Sequence, residues 1–153
     1  MKIIAILLFC VTAVLAAEQL KPNEWCSGAY LREAIRKCGA EYGATQADAD
    51  DYIQHRPAAN DKMKCYRACL FNECRAFNMD GSFVANAPQT TAFLASRINP
   101  SHWEPAEKAA KICIAKTPYG TDRCETVEQF SLCLTEKSPV KLSYEDNFIE
   151  KNR

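Results

Sequence analysis

Residues 60–78 read NDKMKCYRACLFNECRAFN. Asn60 is a good N-cap, and a long helical stretch follows that carries Met63, Cys65, Cys69, Leu70 and Phe77 before the Asp80-Gly81 turn signal. Cys65 and Cys69 are four residues apart, so they project from one face of that helix. Side chains pointing the same way are poorly placed to bond each other, so each reaches a different segment. Cys74 lies nine residues past Cys65, about 180° around the helix, and needs a partner of its own.

Working outward, the other cysteines complete the run Cys38-x26-Cys65-x3-Cys69-x43-Cys113-x10-Cys124-x8-Cys133, with Cys26 and Cys74 outside it. A ninth, Cys10, falls in an N-terminal segment that reads as a leader. Met1-Lys2 gives a positive start, 3–15 is apolar and uncharged, and Leu15-Ala16-Ala17 offers small residues for cleavage. The apolar stretch, about 15 residues, is short of the ~20 that a spanning helix needs, and no later segment is apolar enough to span. The expectation is a signal peptide over 1–17, a mature chain over 18–153 beginning at Glu18, secretion to an oxidising extracellular compartment, and no membrane insertion.

Without the leader the cysteines number eight, an even set, and the charges are nearly balanced. Nucleic acid and anionic membrane surfaces need a basic excess, and neither is recommended as a partner. The length makes one domain, which can fold without crosslinks, so four disulfides exceed what size demands. They either brace a partly hollow interior or serve extracellular durability. Zinc is the competing reading of a cysteine-rich chain, but secreted cysteines are usually oxidised and zinc sites usually show two close pairs. No metal and no cofactor are expected.

The remaining signals are helical, and the fold class is all-α. A first helix is expected over 23–38, stopping at Gly39. Thr45-x-x-Asp48 opens a short second helix ending by Pro57. The third runs to Asn78. Asn86 and Pro88 start a fourth that reaches Ile98, and Asn99-Pro100 breaks it. A fifth covers 101–116, with Pro105 tolerable only in its first turn. Thr121 or Asp122 caps a sixth that runs through Leu134. A tail over 139–153 carries Leu142, Tyr144, Phe148 and Ile149. No internal repeat is visible.

Eight cysteines allow 105 pairings, and spacing does not choose among them. Here the chain resembles the insect odorant-binding and pheromone-binding proteins. The resemblance rests on the six-cysteine run, the Lys64-Cys65-Tyr66-x-x-Cys69-Leu70-Phe71 stretch and the Met79-Asp80-Gly81 turn. It implies a compact bundle of about six helices around an apolar cavity. It also implies the bridges Cys38–Cys69, Cys65–Cys124 and Cys113–Cys133. The extra cysteines, Cys26 and Cys74, are left to pair with each other. Along helices, Cys26 and Cys38 stand about 18 Å apart but Cys69 and Cys74 about 7.5 Å, so the first and third helices must cross obliquely or the first must bend.

The resemblance implies a secreted carrier that solubilises a small lipophilic molecule, an odorant or pheromone, for delivery to a membrane chemoreceptor. The carrier would be a monomer or homodimer. Phe71, Phe77, Phe83, Phe93, Ile98, Trp103, Phe130, Leu134 and Phe148 are the candidate cavity walls. Phe130 leads, because it lies between the last two cysteines on a helix lining the cavity. Taken singly, each of these reads sooner as ordinary core; taken together, and with the resemblance, at least three are expected to touch ligand. Tyr144-x-x-x-Phe148-Ile149 forms one apolar stripe if helical, and the tail is then either a lid over the cavity mouth or a frayed terminus. His55 and His102 titrate nearest neutrality and are either pH sensors or surface histidines.

Enzyme motifs are absent: there is no Gly-x-Ser-x-Gly elbow, no His-Glu-x-x-His and no phosphate loop, and bridged cysteines leave no thiol nucleophile. The paired cysteines and His-Asp of a small secreted phospholipase are missing too. Two alternatives to the odorant carrier stay open. One is a salivary scavenger of biogenic amines or lipid mediators on the same fold, which for amines calls for acids in the pocket. The other is a secreted protein-interaction factor with a filled core.

Overall fold

The computed structural model describes residue 26 and residues 28–78, 80–97, 99–117, 120 and 122–144. The expected leader over 1–17, Ile98, Phe148 and the outer part of the tail lie outside the described residues. Among the described residues six α-helices follow in order: α1 (Gly28–Tyr42), α2 (Gln46–Ile53), α3 (Asp61–Glu73), α4 (Ala87–Ser96), α5 (Trp103–Lys116) and α6 (Arg123–Lys137). Among the described residues there is no strand. A single antiparallel bridge joins Phe77 to Phe83.

The helix starts follow the capping residues. Thr45 and Asp48 exchange a capping box at α2, Asn60 accepts from the Met63 amide at 3.1 Å, and Asp122 accepts from the Cys124 and Glu125 amides at 2.9 and 3.1 Å. Asn99 caps a short 3-10 turn, Pro100–His102, that leads into α5, so the α-helix proper starts at Trp103 and Pro105 sits in its first turn.

The helix ends differ from expectation. Gly39 does not stop α1. The helix continues to Tyr42 and turns at Gly43, with φ +63°, and the Ala44 amide donates back to the Gly39 carbonyl at 2.9 Å. The same closing motif ends α2 and α3, but without glycine. His55 takes φ 55°, and the Arg56 amide donates to the Asp51 carbonyl at 2.8 Å. Arg75 takes φ 51°, and the Ala76 amide donates to the Phe71 carbonyl at 3.0 Å. The third helix therefore stops at Glu73, short of the expected Asn78. Cys74 caps it, and the reversal at Arg75 turns Ala76 and Phe77 into the core. At the other end of the chain, α6 runs one turn past Leu134.

Four disulfides join Cys26–Cys74, Cys38–Cys69, Cys65–Cys124 and Cys113–Cys133. They tie α3 to both α1 and α6, and α5 to α6. The mismatch of axial distances disappears because Cys26 precedes α1 and Cys74 caps α3, so neither sits within a helix. α4 packs on α5, and the buried residues of both helices are rich in alanine: Ala87, Ala92 and Ala95 on α4, and Ala106, Ala109 and Ala110 on α5. The α3–α6 contact holds a buried ion pair, Arg67 Nη1 to Glu128 Oε2 at 2.9 Å. Both partners also hold the connection after α2: Arg67 donates to the Arg56 carbonyl, and Glu128 accepts from the Ala58 amide at 2.9 Å. A buried charge is tolerable when it is paired and its remaining sites are bonded in this way.

Candidate ligand site

The interior is organised by a continuous path of rings. Phe130 on α6 is fully buried, with its ring 5.7 Å from Phe71 edge-on and 4.7 Å from Phe83. Phe83 meets Phe77 at 5.0 Å, edge-on, across the bridge that closes the 77–83 turn. From Phe71 the path continues to Tyr52 at 6.3 Å and Tyr144 at 5.6 Å, and ends on His55, 4.3 Å from Tyr144. These separations are those of favourable edge and tilted ring pairs. Four of the sequence candidates, Phe71, Phe77, Phe83 and Phe130, thus come together, and Leu134 is buried one turn beyond Phe130. Phe93 and Trp103 stand half-buried against the same core, and the Arg97 guanidinium lies over Phe93 at 5.5 Å.

Two elements missed from the sequence complete the site, together with the tail, which was expected there as a helix and enters as a non-helical segment. Tyr52 projects inward from α2. Thr90 and Thr91 are buried on α4, with their hydroxyls donated to the Asn86 and Ala87 carbonyls. The chain after α6 contributes Leu142 and Tyr144, both buried, while Lys141 between Val140 and Leu142 is exposed. That alternation of buried and exposed residues was the available signal. The Tyr144 amide donates to the Ile53 carbonyl at 2.9 Å, so this segment crosses the bundle onto the end of α2. Between Tyr52, Phe71, Cys74, Ala76, Thr90, Thr91, Leu94 and Tyr144 lies a hollow of about 10 Å³. That is room for about one water.

His55 is not a surface histidine. It is 7% exposed, its Nε2 has no hydrogen-bond partner, and burial, with the Arg67 charge adding to it, lowers its pKa to about 4. Its carbonyl accepts from the Thr135 hydroxyl at 3.4 Å. Burial also raises the Tyr52 and Tyr144 phenols, so both remain protonated donors. His102 is half-buried at the head of α5, where its ring meets the Asn99 amide at 3.0 Å. Among the described residues no three of His, Cys, Asp and Glu group as metal ligands, and no helix is long and apolar enough to cross a membrane.

A disulfide-stapled six-helix bundle with aromatic rings meeting at its centre defines a class, and sequence comparison supplies its name. The model of the PBP/GOBP family matches residues 28–137, well over half of the chain, and the chain belongs to that family. It is 25% identical over 135 residues to general odorant-binding protein 19d of Drosophila melanogaster, covering 88% of this chain and 89% of the relative. It is 29% identical over 105 residues to general odorant-binding protein 28a of the same fly, covering 69% and 73%. Among solved structures, odorant-binding protein 28a of Drosophila melanogaster superposes with a TM-score of 0.64 at 26% identity, covering 77% of this chain and 95% of that one. A pheromone-binding protein of the cockroach Leucophaea maderae, solved with the fluorescent reporter ANS, superposes with a TM-score of 0.60 over 72% and 94%. At 18% identity the cockroach protein bears on the fold alone.

Proposed function

We propose that this protein is a secreted carrier whose aromatic interior takes up one small lipophilic molecule, an odorant or pheromone, and delivers it to a membrane chemoreceptor. The observation that carries this reading is the ring path from Phe77 through Phe83, Phe130, Phe71 and Tyr52 to Tyr144, set beside a small hollow. Burying apolar ligand surface there contributes about 25 cal/mol per Å² before binding costs. A chain of roughly ten to fifteen carbons is enough for micromolar affinity by that measure.

A ligand of that size does not fit about 10 Å³, so uptake moves a wall. The 140–144 segment is the wall most easily moved: it is not part of a helix, and Leu142 and Tyr144 enter the core from it. That segment then acts as a lid hinged after α6. The amine-scavenger reading is less favoured, because the acid buried among the described residues, Glu128, is committed to Arg67 and the Ala58 amide.

The test is displacement of a fluorescent apolar probe from the oxidised chain by panels of alcohols, fatty acids and biogenic amines. Micromolar displacement by lipophiles supports the carrier. Selective displacement by amines replaces it with the scavenger, and no uptake at all replaces it with a surface-interaction factor.

A further inference from the structure

The hollow beside the ring path has polar groups in its wall. Thr90 and Thr91, 2% and 3% exposed, are neighbours on α4 and both line it. A hydroxyl has one proton to donate and two lone pairs that accept. Both protons are committed within the helix: Thr90 donates to the Asn86 carbonyl at 3.3 Å and Thr91 to the Ala87 carbonyl at 3.0 Å, each four residues back. Among the described residues no group donates to either oxygen. Two buried oxygens are therefore left as acceptors only, around a space whose other lining includes Phe71, Ala76 and Leu94.

Tyr52 and Tyr144 line the same hollow, and burial keeps their phenols protonated, hence able to donate. An alcohol answers both kinds of group, because its hydroxyl donates to a threonine oxygen and accepts from a phenol. An ether, ester, aldehyde or ketone only accepts, and leaves the threonine oxygens facing lone pairs. A carboxylate also only accepts, and it brings a charge without a counter-ion: the buried cation among the described residues, Arg67, is paired with Glu128. Resting on the carrier reading, we propose that Thr90 and Thr91 set its specificity and select a neutral ligand that ends in a hydroxyl. The O–H donates to a threonine oxygen in the place of the one water that the hollow has room for, and the alkyl chain leads away past Phe71 toward Phe130 and Phe83. A ligand without the proton leaves buried polar atoms unpaired, which discriminates more strongly than a change in apolar contact does.

The experiment compares dodecanol with its isomer undecyl methyl ether, which keeps the oxygen and the chain but has no proton to donate. Each is titrated against a fluorescent apolar probe bound to the oxidised chain at neutral pH. The expected result is that dodecanol binds at least tenfold more tightly. In the Thr90→Val, Thr91→Val double variant the preference falls to within threefold, through loss of affinity for the alcohol, while the ether binds as before. The Thr90→Ser, Thr91→Ser double variant keeps both hydroxyls and keeps the preference, which a purely structural role of the two side chains would not produce. Equal affinities in the wild type, an unchanged preference in the valine variant, or its loss in the serine variant each overturns the proposal and leaves the carrier reading standing. Displacement by neither compound overturns the carrier reading, and the specificity with it.

Discussion

Arg67 and Glu128 meet at 2.9 Å between α3 and α6 with only 2% and 4% of their side chains exposed, and between them they hold the backbone of the 56–58 connection. Removing one partner leaves the other charge buried and unpaired, which costs about 3–5 kcal/mol. Glu128→Leu or Arg67→Met alone is expected to lose that much in urea unfolding. The double variant is expected to lose less than the sum of the two, because no lone charge remains. Additive losses would show that the pair acts as two separate contacts.

His55 makes stability depend on pH. Its folded pKa is lowered to about 4 from an ordinary 6.5, so the unfolded chain binds the proton first. Stability is full above about pH 6.5 and declines as the pH falls toward 4, by up to roughly 3 kcal/mol. The ring packs on Tyr144, so the loss is expected at the 140–144 segment, read as faster amide exchange at Tyr144 near pH 5. In His55→Phe this step is expected to flatten. An unchanged acid slope in that variant would place the titration elsewhere.

Arg75 holds a left-handed conformation that glycine takes without strain, and its side chain is exposed. Arg75→Gly is expected to be more stable than Arg75→Ala, which lacks the same side chain but keeps the strain, by about 1 kcal/mol. Thermal unfolding is the check. The same change at His55 is expected to destabilise, since it also removes a buried ring.

The Cys26–Cys74 bridge closes a sequence separation of 48, the Cys113–Cys133 bridge one of 20. Chain entropy assigns them about 4 and about 3 kcal/mol. Paired Cys→Ser replacement is expected to follow that order in denaturant unfolding. The reverse order would mean that local packing, and not loop closure, sets their contribution.

Much of the architecture was legible. Asn60, Thr45 and Asp122 carry polar side chains whose capping bonds are local, so six helices and most of their starts could be read directly. The ends were harder. Gly39 looks like a stop but lies within α1, while His55 and Arg75 reverse the chain without being glycines. Their conformations are imposed by what surrounds them, including the burial of His55 against Tyr144, and not by their own preference. The aromatic cluster was half visible for the same reason. Phe71 and Phe130 follow helical spacing beside cysteines. Tyr52 and Tyr144 become partners only because the chain after α6 returns to α2. Arg67 and Glu128 are 61 residues apart, and neither has a local pattern that marks it as buried.

The central claim is that a lipophilic ligand sits among the interior rings. Its most direct test is the set of intermolecular nuclear Overhauser contacts between bound dodecanol and the isotope-labelled oxidised chain. The account predicts contacts to the ring protons of Phe71, Phe83 and Phe130. Contacts confined to surface residues, with dodecanol demonstrably bound, would contradict it.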